Sequence, residues 1–438
     1  MVNENLLKEV IKNQKDVFLG KTDLFKRDLA GEIVQKYVKL DAIIAITGLR
    51  RVGKSSLMRL IWDEVKGKEK LSDEQFLYLN FEDERLIDFS KDDFAKALQI
   101  FYETNSPDKT KKIFLFLDEI QIIKYWEKWA RRLYEEKKFK IFITGSNATL
   151  LSSELATALT GRNIPIALHP LSFYEFYVYF QNNAFSKNSL YDIEERAKIK
   201  KSFGRYFQLG GMPEYIRTES AELIQEYFKD IILRDIVNRY NVKYKQGLKE
   251  LAHFLLAAPG QISSLRNISR SIEIKNINTV KNYLQYLQDS FLFYKVPLFS
   301  YSYKRQIYNP DKVYVADLAF FHNIAFQATK NLGALYENLV FLTLLRKDKE
   351  IFYYKTVNNL EADFVVREKN KITDIIQVSF SLKNKQIRQR EISSLISAMN
   401  ELKLKKGWIL VNDEEEAEIK QDGKIIIIKP IYKWLLER

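Results

Sequence analysis

The sequence predicts an α/β protein: a parallel β-sheet built around a phosphate-binding loop, followed by a helical region and a second α/β region. Three observations carry this expectation. Between about residues 42 and 170, strand-like runs alternate with helical stretches, and the runs are apolar throughout rather than alternating. The first run ends in a glycine-rich turn closed by Lys-Ser. After Pro310, strand-like runs return beyond a helical interval. Continuous apolar runs suit strands buried on both faces of a parallel sheet.

Taken in order, residues 1–40 read as a charged, partly helical lead-in. The strand-like runs "AIIAIT", "FLYLNF", "IFLFLD", "KIFITGS" and "IPIALHP" then build the first sheet. Residues 171–245 read as helical, with one break at "LGGMPEY". In the next interval, "SSLRNISRSI" and "NTVKNYLQYL" give two helices around the turn "EIKNIN". Asn278 or Thr279 is placed to cap the second. "FLFYKVPLFSYSYKRQIYN" reads as an aromatic and basic ribbon. "IFYYKTV", "ADFVV", "DIIQVSF", "GWILV" and "KIIIIK" supply the last strands. The boundaries drawn from this are 1–40, 41–245, 246–305 and 306–438.

Composition narrows the classes. Hydrophobic residues make up 46% of 438, enough for true cores, and the length suits two to four domains. Lys+Arg 70 against Asp+Glu 57 leaves +13, which favours an anionic partner, nucleic acid before membrane. With Cys 0 and His 3, disulfides, thiol nucleophiles and cysteine-based zinc sites are excluded. No apolar run approaches the length of a membrane span, and the N-terminus lacks a signal peptide's apolar segment. The expectation is a cytoplasmic protein with no membrane partner.

The turn "GLRRVGKSS" matches G-x-x-x-x-G-K-[ST] between a strand and a helical stretch. In that setting Gly48, Arg51, Val52, Gly53, Lys54, Ser55 and Ser56 surround the phosphates of ATP. Backbone N–H groups cradle the β-phosphate, Lys54 reaches the β and γ oxygens, and Ser55 holds Mg²⁺. "IFLFLDEIQ" adds Asp118, to order the Mg²⁺ shell, and Glu119, to polarise the attacking water. Asn147 and Ser146, after the next strand, are candidates for touching the γ-phosphate. Arg50 and Arg51 are placed to brace phosphates or DNA.

With the strand–loop order of "ITGLRRVGKSS" and "LDEIQ", the region "ALTGRNIPIALHPLSFYEF" resembles the AAA+ ATPases. There the arginine finger ends the helix before the fifth strand, a place held here by Arg162, which would complete a neighbouring subunit's site. "LGGMPEY" resembles the Gly-x-Pro lid element of the STAND and origin-recognition branches. That resemblance implies that Pro213 packs on the nucleotide base. The whole chain resembles a prokaryotic family with an AAA-type P-loop ATPase core and helical lid, a winged helix, and a C-terminal restriction-endonuclease-like α/β domain. In the winged helix, Lys275, Lys281, Asn282, Lys304 and Arg305 would face DNA.

The last region resembles the PD-(D/E)xK core. The resemblance implies a second Mg²⁺ site from Glu337, Asp363 and Gln377, with a lysine to activate water. Ser379 stands where that lysine would be, and Lys383 lies a few residues on. Cleavage is therefore not expected. The function implied is a Mg²⁺-dependent AAA+ ATPase that binds DNA by structure rather than sequence and remodels branched or duplex DNA, as a homo-oligomeric ring such as a hexamer. The alternatives are a nucleotide-gated, STAND-like switch with protein partners, and an ATP-dependent nuclease.

Overall fold

The computed structural model describes residues 2–146, 161–181, 185–326, 331–412 and 416–437. The chain divides into two units, Met1–His169 and Pro170–Arg438. In the first unit, α1 (Glu4–Leu19) and α2 (Asp28–Tyr37) precede β1 (Ile43–Gly48). Then come α3 (Lys54–Glu69), β2 (Phe76–Asn80), α4 (Asp93–Thr104), β3 (Ile113–Asp118), α5 (Trp126–Glu135), β4 (Phe139–Gly145) and β5 (Asn163–Leu168). The five strands form one parallel sheet in the order β2-β3-β4-β1-β5.

The period-two alternation of a strand explains why the runs are apolar throughout. Leu77, Leu79, Leu115, Leu117, Ile141 and Ile143 enter a core with Leu7 and Val10 of α1, Phe94 of α4 and Trp129 of α5. The intervening residues bury aromatic rings on the other face. Trp62 of α3 stacks on Phe76 at 4.5 Å, and Phe116 stacks on Phe142 at 4.8 Å between ring centres. Both faces are covered along β1 to β4, whereas the edge strand β5 alternates between buried and exposed residues.

The second unit opens with helices Phe173–Gln181, Ile193–Leu209, Pro213–Thr218 and Ala221–Asp230, the last running into a π-helical segment Ile231–Asn238. Helices Lys245–Ala257, Leu265–Ser271 and Ile277–Asp289 lead to a hairpin of β6 (Phe293–Val296) and β7 (Lys312–Val315). Helices Leu318–Ile324 and Leu332–Arg346 follow. The remaining strands are β8 (Glu350–Lys355), β9 (Glu361–Glu368), β10 (Lys371–Ser379), β11 (Lys406–Val411), β12 (Ala417–Gln421) and β13 (Lys424–Pro430). They form a mixed sheet, β12-β13-β11-β10-β9-β8, covered in part by helix Lys385–Glu401.

Three local features differ from the sequence expectation. Asn276, not Asn278 or Thr279, caps helix Ile277–Asp289: its side chain accepts from the N–H of Asn278. The aromatic ribbon is broken by a short exposed helix, Tyr303–Tyr308, between the hairpin strands. The edge strand β12 was not expected, because "AEIKQ" is mostly exposed and carries little apolar signal. The hairpin also joins residues 312–315 to residues 293–296, across the boundary drawn at 305/306.

The break at "LGGMPEY" is built on a carboxylate. Asp317 accepts the N–H of Gly211 at 2.7 Å and that of Ala319 at 2.9 Å. Gly210 has φ +69°, and a Cβ there would lie 1.9 Å from an Asp317 oxygen. No other residue type fits that approach without displacing the carboxylate.

Candidate functional site

β1 ends where the chain must turn sharply past the end of β5. A Cβ on Gly48 would meet the Leu168 carbonyl oxygen at 2.3 Å, so the close approach needs glycine. Val52 is buried and fixes the loop, Arg51 is exposed, and Gly53 enters α3 with φ +99°. Ser55 and Ser56 lie partly buried in the first turn of α3, whose first N–H groups lack helical partners and carry the positive end of the helix dipole. Lys54 is 6% exposed. Its Nζ lies 3.3 Å from the carbonyl oxygens of Gly48 and Leu49, and 3.3 Å from Glu119 Oε1. Arg50 pairs with Glu82 at 3.2 Å.

Asp118 and Glu119 stand two strands away, with β4 between them and β1. Asp118 is 1% exposed. Thr144 of β4 donates its hydroxyl to Asp118 Oδ1, and Tyr78 of β2 donates to Oδ2 at 2.9 Å. The same Thr144 oxygen accepts the Glu119 N–H at 2.9 Å. Burial, and then the Asp118 charge, push the Tyr78 phenol upward, so it stays protonated and serves as a donor. Glu119 adopts a left-handed backbone, φ +51°, and takes a 2.5 Å hydrogen bond from Gln121. Burial alone would raise its carboxyl. Lys54, Gln121 and Arg50 together outweigh burial, and the net shift is downward.

A glycine cradle, a buried lysine at an exposed-donor helix start, a serine on that first turn and a fixed carboxylate form a coherent donor set. It fits a triphosphate with a hard divalent cation: Lys54 and the loop N–H groups for phosphate, Ser55 and Asp118 for the ion.

Asn147 is outside the described residues. Arg162 directly precedes β5, at the end of the sheet where Ile43 pairs with Asn163, whereas the loop follows the Gly48–Leu168 end. Five strand steps, about 16 Å, keep it from its own chain's phosphates. It contacts Glu135 at 4.0 Å and the ring of Tyr134. Pro213 belongs to the second unit, where it opens helix Pro213–Thr218.

In the second unit, Glu337, Asp363 and Gln377 line one pocket of about 520 Å³, together with Arg390 and Glu391. Gln377 donates to Glu391 at 2.8 Å, and its Oε1 is buried without a partner. Asp363 Oδ2 accepts the Val378 N–H at 2.8 Å. Tyr314 donates to Glu337 at 2.6 Å. Lys312, 2% exposed, sits against Glu337, Glu361 and Asp363. Burial, with the Asp363 charge, pushes Glu337 up to about 7 although Lys312 opposes it. Burial would lower Lys312, but its acidic neighbours more than reverse this and hold it well above the usual lysine range. Ser379 is buried and donates to the Ser381 carbonyl, and Lys383 is exposed. Lys275, Lys281, Asn282, Lys304 and Arg305 are all exposed, as are Arg266 and Arg270. Among the described residues no helix is long and apolar enough to cross a membrane.

The sequence pattern of the AAA domain matches residues 40–177, the segment that builds this sheet and loop. Two domain patterns of unknown function match residues 200–331 and 332–434. The chain is 34% identical to the uncharacterized protein MJ1544 of Methanocaldococcus jannaschii, over 100% of this chain and 96% of that one. It belongs to that protein's family. An uncharacterized protein of Haemophilus influenzae is 29% identical over 96% of this chain and all of its own length. Among solved structures, the Aeropyrum pernix Orc1 protein in complex with DNA is similar at 11% identity and TM-score 0.30, covering 75% of this chain and 96% of that one. A score that low carries no argument about function. The AAA-domain match gives the first unit a P-loop ATPase fold, and the second unit adds a six-stranded sheet at the C-terminus.

Sequence reasoning missed the groups that hold the acids in place. Thr144 is two residues before Ser146, inside an apolar strand where a polar residue is itself a signal. Gln121 follows Glu119 closely enough to have been weighed. Glu361 shares a strand face with Asp363 by period two. Lys312 heads the short run "KVYV", and nothing local reveals that it reaches a site built from residues 337–363.

Proposed function

We propose that this chain is a Mg²⁺-dependent ATPase that engages DNA and couples hydrolysis to remodelling branched or duplex DNA. The observation that carries the catalytic part is the Lys54–Glu119 pair, held beside Asp118 by Thr144. Lys54 has carbonyl partners and one carboxylate at 3.3 Å, contacts that a phosphate oxygen replaces with shorter, charge-assisted ones. When Lys54 turns to phosphate, Glu119 loses the largest influence lowering its proton affinity and becomes a better acceptor for a proton from water. Gln121 keeps one of its oxygens fixed meanwhile. Asp118, with both oxygens held by hydroxyl donors, would orient water around a bound cation. A bound Mg²⁺ would neutralise charge on the β and γ oxygens.

Several features support the DNA part. The chain carries a net +13. Residues 245–315 follow the order helix, bridging residue, helix, helix and two-stranded hairpin, which we read as a winged helix. Exposed Arg266, Arg270, Lys275, Lys281, Lys304 and Arg305 lie on it, with Tyr301, Tyr303 and Tyr308 exposed between the hairpin strands. Phosphate attraction with aromatic stacking suits a partner read by shape. We read the last sheet as a restriction-endonuclease-like domain without cleavage activity. We assign Arg162 to a neighbouring subunit's site in a homo-oligomeric ring. The test is the ATPase rate with no DNA, duplex, single strand and four-way junction. Stimulation of several-fold by at least one DNA, weakened by salt, is expected. A rate indifferent to every DNA would favour the nucleotide-gated switch with protein partners.

A further inference from the structure

In the second unit the carboxylates of Glu337, Glu361 and Asp363 converge on one point, and a side chain already stands there. Lys312 Nζ lies 2.7 Å from Glu361, 2.8 Å from Glu337 and 3.1 Å from Asp363. The ammonium donates hydrogen bonds to Glu337 and Asp363, and Glu361 completes the cluster as an ion pair. The distances are those of charge-assisted N–H···O bonds. A Mg²⁺ ion among the same oxygens would need them at about 2.0–2.1 Å. Among the described residues, no group of three or more His, Cys, Asp or Glu is spaced to hold a metal ion.

We propose that Lys312 is the resident cation of this site: it stands where a divalent ion would stand, and the chain has filled a latent metal position with its own ammonium. Two further observations point to a latent site rather than an ordinary ion pair. Three carboxyl groups face one ammonium, more acidic groups than a single cation needs as partners. In addition, Gln377 is only 7% exposed, and its Oε1 has no partner while lining the same pocket as Glu337 and Asp363. An amide oxygen is a ligand for hard cations and an acceptor that a buried site does not leave idle without cost. Lys312 also reaches the cluster from β7, so filling the position ties the hairpin to β9 and to helix Leu332–Arg346. Because Lys312 is buried and its ammonium faces three carboxylates, the residue does not serve as a water-activating lysine, and the site takes no divalent ion while Lys312 is in place. The inference does not depend on the nucleotide chemistry of the first unit.

The experiment is Mn²⁺ binding to the nucleotide-free full chain, read by the loss of the free-ion paramagnetic resonance signal. Every protein carries Asp118→Asn to silence the first unit's cation position. With Lys312 present, no Mn²⁺ should bind up to on the order of 1 mM, the range of weak oxygen sites. Lys312→Ala should gain one Mn²⁺ per chain, and adding Asp363→Asn should remove it. A folded Lys312→Ala protein with no gain overturns the proposal. So does Mn²⁺ binding with Lys312 present that Asp363→Asn abolishes. Should Lys312→Ala not fold, that last measurement still decides, because it needs no change at Lys312.

Discussion

The two units each bury a lysine among acids, and the two lysines are held in opposite ways. Lys54 sits 3.3 Å from one carboxylate and two carbonyls, long contacts at the start of a helix whose N–H groups face outward. Lys312 has three carboxylates at 2.7–3.1 Å, all short and all charged. Burial alone does not separate them, since both are less than a tenth exposed. What separates them is whether the partners leave the ammonium something to gain. A phosphate oxygen improves on every contact that Lys54 has. For Lys312 any exchange of partner is a loss. A buried lysine is thus read as a ligand group or as a fixed internal charge by how short its contacts are and how much charge its partners carry.

The largest effect expected from breaking this comparison is chemical. Glu119→Gln keeps the shape around Lys54 and removes the proton acceptor, so turnover should fall about 10²–10⁴-fold while nucleotide binding persists. Single-turnover hydrolysis with equilibrium binding measured alongside checks this, and normal turnover would remove Glu119 from the reaction. The next effect is energetic and contrasts the lysines directly. Lys312→Met leaves three carboxylates around an apolar group and should cost about 3–5 kcal/mol. Lys54→Met should cost less than half of that, because Glu119 keeps Gln121. Denaturant midpoints of the two proteins, followed unit by unit, decide it. Equal losses would end the distinction drawn above. The smallest effect concerns the bridge between the acids. Thr144→Val removes a donor from Asp118 and an acceptor from the Glu119 N–H, and should slow turnover about tenfold, or about 1.4 kcal/mol, with nucleotide affinity little changed.

Much of the first unit was legible because its signals are local. Each of the five strands is a contiguous apolar run, and Gly48 to Ser56 is one unbroken motif whose glycine is required by the Leu168 carbonyl. Asp118 and Glu119 were legible from their position at the end of a strand. Thr144 was not, because its role exists only once β4 lies between β1 and β3, an order that runs along the chain do not encode. The second site shows the same limit more strongly. Glu337, Asp363 and Gln377 were named from the resemblance to the PD-(D/E)xK core, and they do share a pocket. The cation was sought at Ser379 and Lys383, near those residues in sequence, and it comes instead from Lys312, on a strand that pairs with β6. β12 escaped because an exposed edge strand has little apolar pattern to read.

Asp317 has a consequence for how the protein is made. Its carboxylate is the acceptor for Gly211, and 106 residues separate the two. During synthesis from the N-terminus, the turn at Gly210–Gly211 leaves the ribosome long before its acceptor exists. A loop of that length then closes at an entropic cost that grows only slowly with its size. Until it closes, the Gly211 N–H has water as its partner and the turn lacks its anchor. The turn that follows the helix Ile193–Leu209 is therefore anchored only after residue 317 has been translated. A chain halted anywhere between those points would present the Gly210–Gly211 turn without its acceptor.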